Sequence, residues 1–295
     1  MNRVPEDDVG QRYALLNLQV ADLRADNNRV TTLSPHMAGN TELVAEFLSR
    51  AEELEQQYRH WEEKYASCWA PTTVAWVDDY DTKVSSTAEA FPGVVESFSE
   101  LNAAYKYNAA RSSQILVWTS IIRAVAWLEH PNDYRLTSTY LSARQRCIEL
   151  IDGIIASVPY FLGWKGSPEG AFTGGRQSAC GSQSDVIGVS AFYIIWPMFV
   201  AASSDFSTPE QRAFVKGRLL SIAENLGVNH AQKLIKVCSD NSRMPTVLLT
   251  VLSQLLPLQH PSVYIMADSI APRSQKSSLM ESFRKQSMAA LDCMV

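Results

Sequence analysis

One short stretch, "YNAAR", carries residues that could act together on a substrate: Tyr107, Asn108 and Arg111. Tyr107 and Arg111 stand four apart, so on a helix they share a face. A phenol, an amide and a guanidinium on an otherwise apolar helix are donors that could polarise a carbonyl, and fixed donors of that kind stabilise charge developing on oxygen. The same arginine could instead be paired inside a helical bundle, and the residue types favour that pairing.

A second stretch, "AFYIIWPMFVAAS" (191–203), is almost wholly apolar and has Pro197 in its middle. It falls short of the roughly 18–20 residues a membrane-spanning helix needs. We expect a helix buried on all sides, kinked or started near the proline. Plain core packing is the simplest role for its aromatics. The functional alternative is a wall for a hydrophobic small molecule, lined by Tyr193, Trp196 and Phe199 with Trp118, Tyr160 and Phe161.

Other motifs are decoys. "GVSAF" starts like a nucleophile elbow but lacks its second glycine. Asp78, Asp79 and Asp81 read as a solvated loop rather than a metal cluster. The five histidines are scattered. The five cysteines (Cys68, Cys147, Cys180, Cys238, Cys293) form no CxxC pair, which argues against a thiolate zinc site or a disulfide framework. No phosphate loop, dinucleotide fingerprint or HExxH is present, so no cofactor and no metal is expected.

The elements that must position these residues are helical. Residues 41–65 repeat apolar positions at three- and four-residue steps (Leu43, Val44, Phe47, Leu48, Ala51, Leu54, Tyr58, Trp61), and that face could also meet a second copy in a homodimer. Residues 91–129 read as a long helical region of one helix or two, and 137–158 as a helix stopped by Pro159. A Gly/Ser-rich stretch, 164–188, reads as a long loop. Thr208, Pro209 and Gln211 spell a capping box, and the helix they start should end near Leu226, with Gly227 as its left-handed stop. Shorter helices are expected at 229–238 and 246–256. Within residues 1–40 only 13–23 looks helical. No strand alternation persists. The expectation is an all-α fold: a polar N-terminal segment (1–40), one helical domain stacked around a central apolar helix (41–271) and a polar tail (272–295).

Composition sets limits. Of 295 residues, 46% are hydrophobic, which supports a sizeable core. The net charge of −5 argues against a surface that binds nucleic acid or anionic lipid as a whole. The N-terminus has no apolar signal core, so the expectation is a cytoplasmic protein that does not enter membranes.

Four segments, in order, carry a resemblance: "YNAARSSQILVWTSIIR", "IDGIIASVPYFLG", "FYIIWPMFVAAS" and "QRAFVKGRLLSIAENLGV". Together they resemble the C-terminal regulatory region of fungal transcription factors of the binuclear zinc-cluster type, over roughly residues 51–234. The resemblance implies a helical domain. It departs from the family at the DNA-binding module, which needs six closely spaced cysteines, whereas the first cysteine here is Cys68. Direct DNA binding by that route is therefore not expected.

Two functions follow. A stand-alone domain of this type could bind a hydrophobic small molecule and cyclise or isomerise it without a cofactor, as a Diels–Alder-type enzyme of fungal secondary metabolism. Orientation alone accelerates such reactions. The alternative is a transcriptional co-regulator or ligand sensor, which would place the protein in the nucleus.

Overall fold

The computed structural model describes residues 6–34, 37, 39–64, 66–79, 85–163, 186–228, 231–232 and 234–235. The chain divides into two units, 1–238 and 239–295, and the described residues belong to the first. Nearly all of the expected loop at 164–188, most of the helix expected at 229–238, the helix expected at 246–256 and the tail at 272–295 lie outside them.

The described residues are mostly helical, as expected. Six α-helices are present among them: α1 (Glu6–Thr31), α2 (Asn40–Lys64), α3 (Leu101–Glu129), α4 (Ser138–Phe161), α5 (Val186–Ser203) and α6 (Pro209–Asn225). Between α2 and α3 lies one antiparallel pair of strands, β1 (Thr72–Val77) and β2 (Gly93–Ser97).

Three local readings need correction. The loop reading around the short 13–23 helix gives way to one long helix, α1. Val9, Tyr13, Leu16, Val20, Leu23, Asn27 and Val30 are buried on one stripe at three- and four-residue steps. The polar run from Arg24 to Arg29 hides the stripe, because its only inward places are taken by Arg24 and Asn27. Tertiary packing on α2 and α3 then overrides weak helix propensity.

Second, residues 93–97 are a strand and not the start of a helix. Their partner "TTVAWV" is β-branched and aromatic, which suits a strand. Alternation is obscured because the register shifts between Thr73 and Ala75, and that irregularity moves side chains to the other face. Gly93, at φ +112, makes the entry to β2. Val77, Ala90 and Val95 form a small core beneath the pair.

α1 and α2 run antiparallel. Trp61 Nε1 donates to the Val9 carbonyl at 3.2 Å at one end, and Arg50 pairs with Asp26 at 2.8 Å towards the other. The apolar face of α2 (Val44, Phe47, Ala51, Leu54, Tyr58, Trp61) is therefore spent within the chain, on α1 and α3. α3 is the hub, packing on α1, α2, α4 and α5. The apolar α5 packs on α3, α4 and α6 and keeps Pro197 inside. α4 likewise runs past Pro159 to Phe161 rather than stopping at it. Only one ladder bond is lost there, and Leu162 N still reaches the Val158 carbonyl at 3.2 Å.

α6 begins with the expected reciprocal bonds: Gln211 N donates to Thr208 Oγ1 at 3.1 Å and Thr208 N to Gln211 Oε1 at 2.9 Å. Gly227 follows its end at φ +67. No helix among the described residues is long and apolar enough to cross a membrane.

Candidate functional site

The "YNAAR" residues lie in the first half of α3, where alanines at 103, 104, 109 and 110 favour helix and let neighbours come close. Arg111 turns towards β2 and α4. Its Nη1 and Nη2 donate to the two Glu96 oxygens at 2.7 and 2.9 Å, and Nη1 also donates to the Gly153 carbonyl at 2.8 Å. Asn108 Oδ1 accepts from Nη1 at 3.3 Å and from Ser157 Oγ at 3.1 Å, while Asn108 Nδ2 holds the Ala104 carbonyl at 3.0 Å. The guanidinium also lies over the Tyr107 ring, 4.8 Å from its centroid.

This is a clamp that joins β2, α3 and α4. A forked guanidinium on a carboxylate is the strong form of such a bond. Both partners are largely buried, with side chains 10% and 14% exposed. The clamp depends on Gly153: a Cβ there would sit 2.6 Å from Arg111 Cζ and 2.8 Å from its Nη2. Only a residue without a side chain lets the guanidinium lie against the α4 backbone.

A second network adjoins it. Arg146 on α4 donates to Glu62 on α2 and to Gln114 Oε1 (3.0 Å) on α3, with Glu149 at 3.5 Å. Tyr107 lies within the field of both networks. Burial raises its pKa first of all; Arg111 and Arg146 oppose that rise, while Glu62 and Glu96 add to it. The phenol therefore stays protonated and can donate.

The expected lining residues separate into groups. Phe98 bridges two of them, packing on Tyr107 at 6.0 Å and on Tyr160 at 5.5 Å, and Tyr160 meets Phe161 edge-on. Trp196 and Phe199 stack on each other at 5.7 Å along α5. Tyr193 lies on Tyr105 of α3, ring centroids 4.5 Å apart, and meets Phe192 edge-on at 6.5 Å. Behind Tyr105 a line of phenols continues into the core, through Tyr13 and Tyr58, and Asn17 Oδ1 accepts from Tyr58 at 3.1 Å and from Ser113 at 2.8 Å. Phe161 and Phe199 are fully buried, and Trp118 is 6% exposed with its indole N–H unpaired. Tyr107, Tyr160 and Phe161 are thus brought together near the clamp. Tyr193, Trp196 and Phe199 share α5, with Tyr193 turned to Tyr105.

Among the described residues no group of three or more His, Cys, Asp or Glu side chains could hold a metal ion. Asp78 and Asp79 are exposed, and Asp81 lies outside the described residues.

No protein-family model matches the chain, and no solved structure matches it. One likeness bears on function. The chain is distantly similar to a fungal transcription factor. Over 176 residues it is 22% identical to the transcription factor dbaG of Emericella nidulans, covering 60% of this chain and 40% of that protein. The chain thus spans well under half the length of the relative it matches. The likeness supports a transcription-factor-like relation.

The decisive members of the clamp escaped the sequence. Glu96 lies in a segment read as helix, and nothing local marks it as the partner of Arg111. Gly153 looks like an ordinary helix-weakening glycine. Its position four residues after Glu149 and four before Ser157 carries no signal of a guanidinium overhead. Tyr105, two residues before Tyr107, has no local mark of its own, and it is Tyr105 that meets Tyr193.

Proposed function

We propose that this chain is a regulatory domain of the fungal zinc-cluster transcription-factor type and acts in transcription rather than as a cyclase. The observation that carries the reading is the likeness to dbaG over 60% of the chain. The clamp supports it. Arg111 and Asn108, the donors a cyclase would aim at a substrate carbonyl, are engaged in holding α3, α4 and β2 together. Their chemistry is architectural, and architecture of this kind suits a domain whose output is a surface or a conformation.

One observation favours the cyclase as second reading. The Tyr107 phenol, kept protonated by burial, is a donor at the clamp that the ion pairs do not consume. Both readings are tested by deleting the gene in its host and restoring either the natural chain or Tyr107→Phe. The regulatory reading expects a coherent loss or gain of transcripts on deletion, restored by both chains. Unchanged transcripts, with a missing product that the purified chain makes in vitro and Tyr107→Phe does not, would overturn it in favour of the cyclase.

A further inference from the structure

The least explained group in the molecule is Arg24, in the second half of α1. The residue is buried (8% exposed), yet among the described residues it makes no ion pair and no hydrogen bond, and its Nε is enclosed without an acceptor. Three residues on, Asn27 is 2% exposed and its Oδ1 is likewise unpaired. Arg24 and Asn27 stand on the same side of the helix, one turn apart. Their level in the bundle follows from the neighbouring contacts. Asn17 meets Ser113, and the end of α1 meets α3 where Trp127 Nε1 donates to the Leu33 carbonyl at 2.8 Å. α1 and α3 are therefore parallel, and Arg24 comes level with the turn of α3 around Ser120.

The acids of α1 do not serve it. Asp26 is committed to Arg29 and Arg50, and Asp22 is exposed. Burying part of a guanidinium without a counter-charge is costly, and such groups are ordinarily paired; here Nε is the enclosed atom, and the terminal nitrogens are not among the enclosed unpaired ones. Lost solvation pushes the Arg24 pKa down to about 10, with no carboxylate to oppose the fall.

We propose that Arg24 and Asn27 form a binding site for a small oxyanion, a carboxylate or a phosphate group, which supplies the missing acceptor to the Arg24 guanidinium. The enclosure of the side chain restricts the ligand to a compact anion or to the anionic end of a slim molecule. Asn27 adds an amide that can donate to or accept from the same group, since amide orientation follows the partner. Such a ligand would tie α1 to the α2–α3 pair. This inference stands apart from the role in transcription and survives its failure.

The test uses the full chain. Thermal unfolding midpoints are measured with added sodium phosphate, sodium sulfate or sodium acetate, each against sodium chloride at matched ionic strength. Phosphate, sulfate or acetate is expected to raise the natural chain's midpoint by roughly 5 °C at a hundredfold excess over Kd. Arg24→Met is expected to unfold at or above the midpoint of the anion-free natural chain, since it removes an uncompensated charge, and to lose the oxyanion response. A preference for phosphate and sulfate over acetate, or the reverse, names the oxyanion, and either supports the site. Should Arg24→Met fail to fold, arginine-selective glyoxal labelling of the natural chain decides: the oxyanion must slow labelling at Arg24 and leave that of exposed Arg29 unchanged. No oxyanion-specific shift, an equal shift in Arg24→Met, or unprotected Arg24 would each overturn the proposal.

Discussion

Replacing Gly153 by alanine should destabilise this protein, although helix propensity alone predicts the opposite. Within a helix, glycine to alanine gains about 1 kcal/mol. The new Cβ, however, would stand 2.6 Å from Arg111 Cζ, where ordinary contact begins near 3.4 Å, so the guanidinium must retreat by about 0.8 Å. It cannot retreat and keep all its partners. The Gly153 carbonyl bond at 2.8 Å is lost first, and the fork on Glu96 is strained next. One charge-assisted bond contributes about 1.5–3 kcal/mol, so the net cost is roughly 0.5–2 kcal/mol. The sign reverses when the obstacle is removed. In an Arg111→Met background, whose longer-reaching charge is gone, Gly153→Ala should stabilise by about 1 kcal/mol. Urea unfolding of the four chains gives the coupling between the two sites, expected at roughly 1.5–3 kcal/mol. Stabilisation by Gly153→Ala in the natural chain, with no coupling to Arg111, would refute the clamp.

Glu96→Gln leaves Arg111 largely buried beside neutral acceptors, and should cost about 3 kcal/mol in urea unfolding. A loss below about 0.5 kcal/mol would class the pair with ordinary surface bridges. Thr208→Ala removes the cap of α6 and should cost about 1 kcal/mol in the same assay. At Gly217 a Cβ would meet the Ser86 carbonyl oxygen at 1.7 Å, so Gly217→Ala must displace the 85–87 turn; the expected cost is roughly 2 kcal/mol, read as a lowered unfolding midpoint. Alkali should unfold the chain cooperatively. Burial raises the pKa of Tyr13, Tyr58, Tyr105 and Tyr107, and takes the Cys147 thiol up to about 12. These groups bind protons more tightly folded than unfolded. Their stabilisation is complete below the unfolded values of about 8.5 for the thiol and 10 for the phenols, and falls as pH rises past them. Tyrosinate absorbance should therefore appear together with loss of helix; smooth ionisation of every tyrosine with the helices intact would contradict their burial.

What could be read from the residues was whatever is written locally. Helix α6 is the clearest instance. Thr208, Pro209, Gln211 and Gly227 each act within a turn of their own position, so its start and stop follow without knowledge of the rest of the fold. The apolar face of α2 and the buried run in α5 were legible for the same reason, since their periodicity is their own. α1 was half legible, because Arg24 and Asn27 occupy inward places that only contact with α2 and α3 makes inward. The strand pair was hidden by its brevity and by the shifted register at Thr73 to Ala75.

The candidate site divides along the same line. Tyr107, Asn108 and Arg111 declared themselves as an unusual polar group on an apolar helix. What they do was decided by residues 15 and 42 positions away along the chain, Glu96 and Gly153. An ion pair and a glycine contact are set by the distance between elements after packing, and no local pattern encodes that distance. Tyr193 likewise meets Tyr105 on a different helix, as well as Phe192 beside it on α5. The sequence by itself determined a helical, transcription-factor-like chain and which side chains were chemically unusual. Tertiary packing alone decided that Arg111 is held in a clamp and that Arg24 is enclosed without a partner, because burial and counter-charge are properties of neighbours brought together in space.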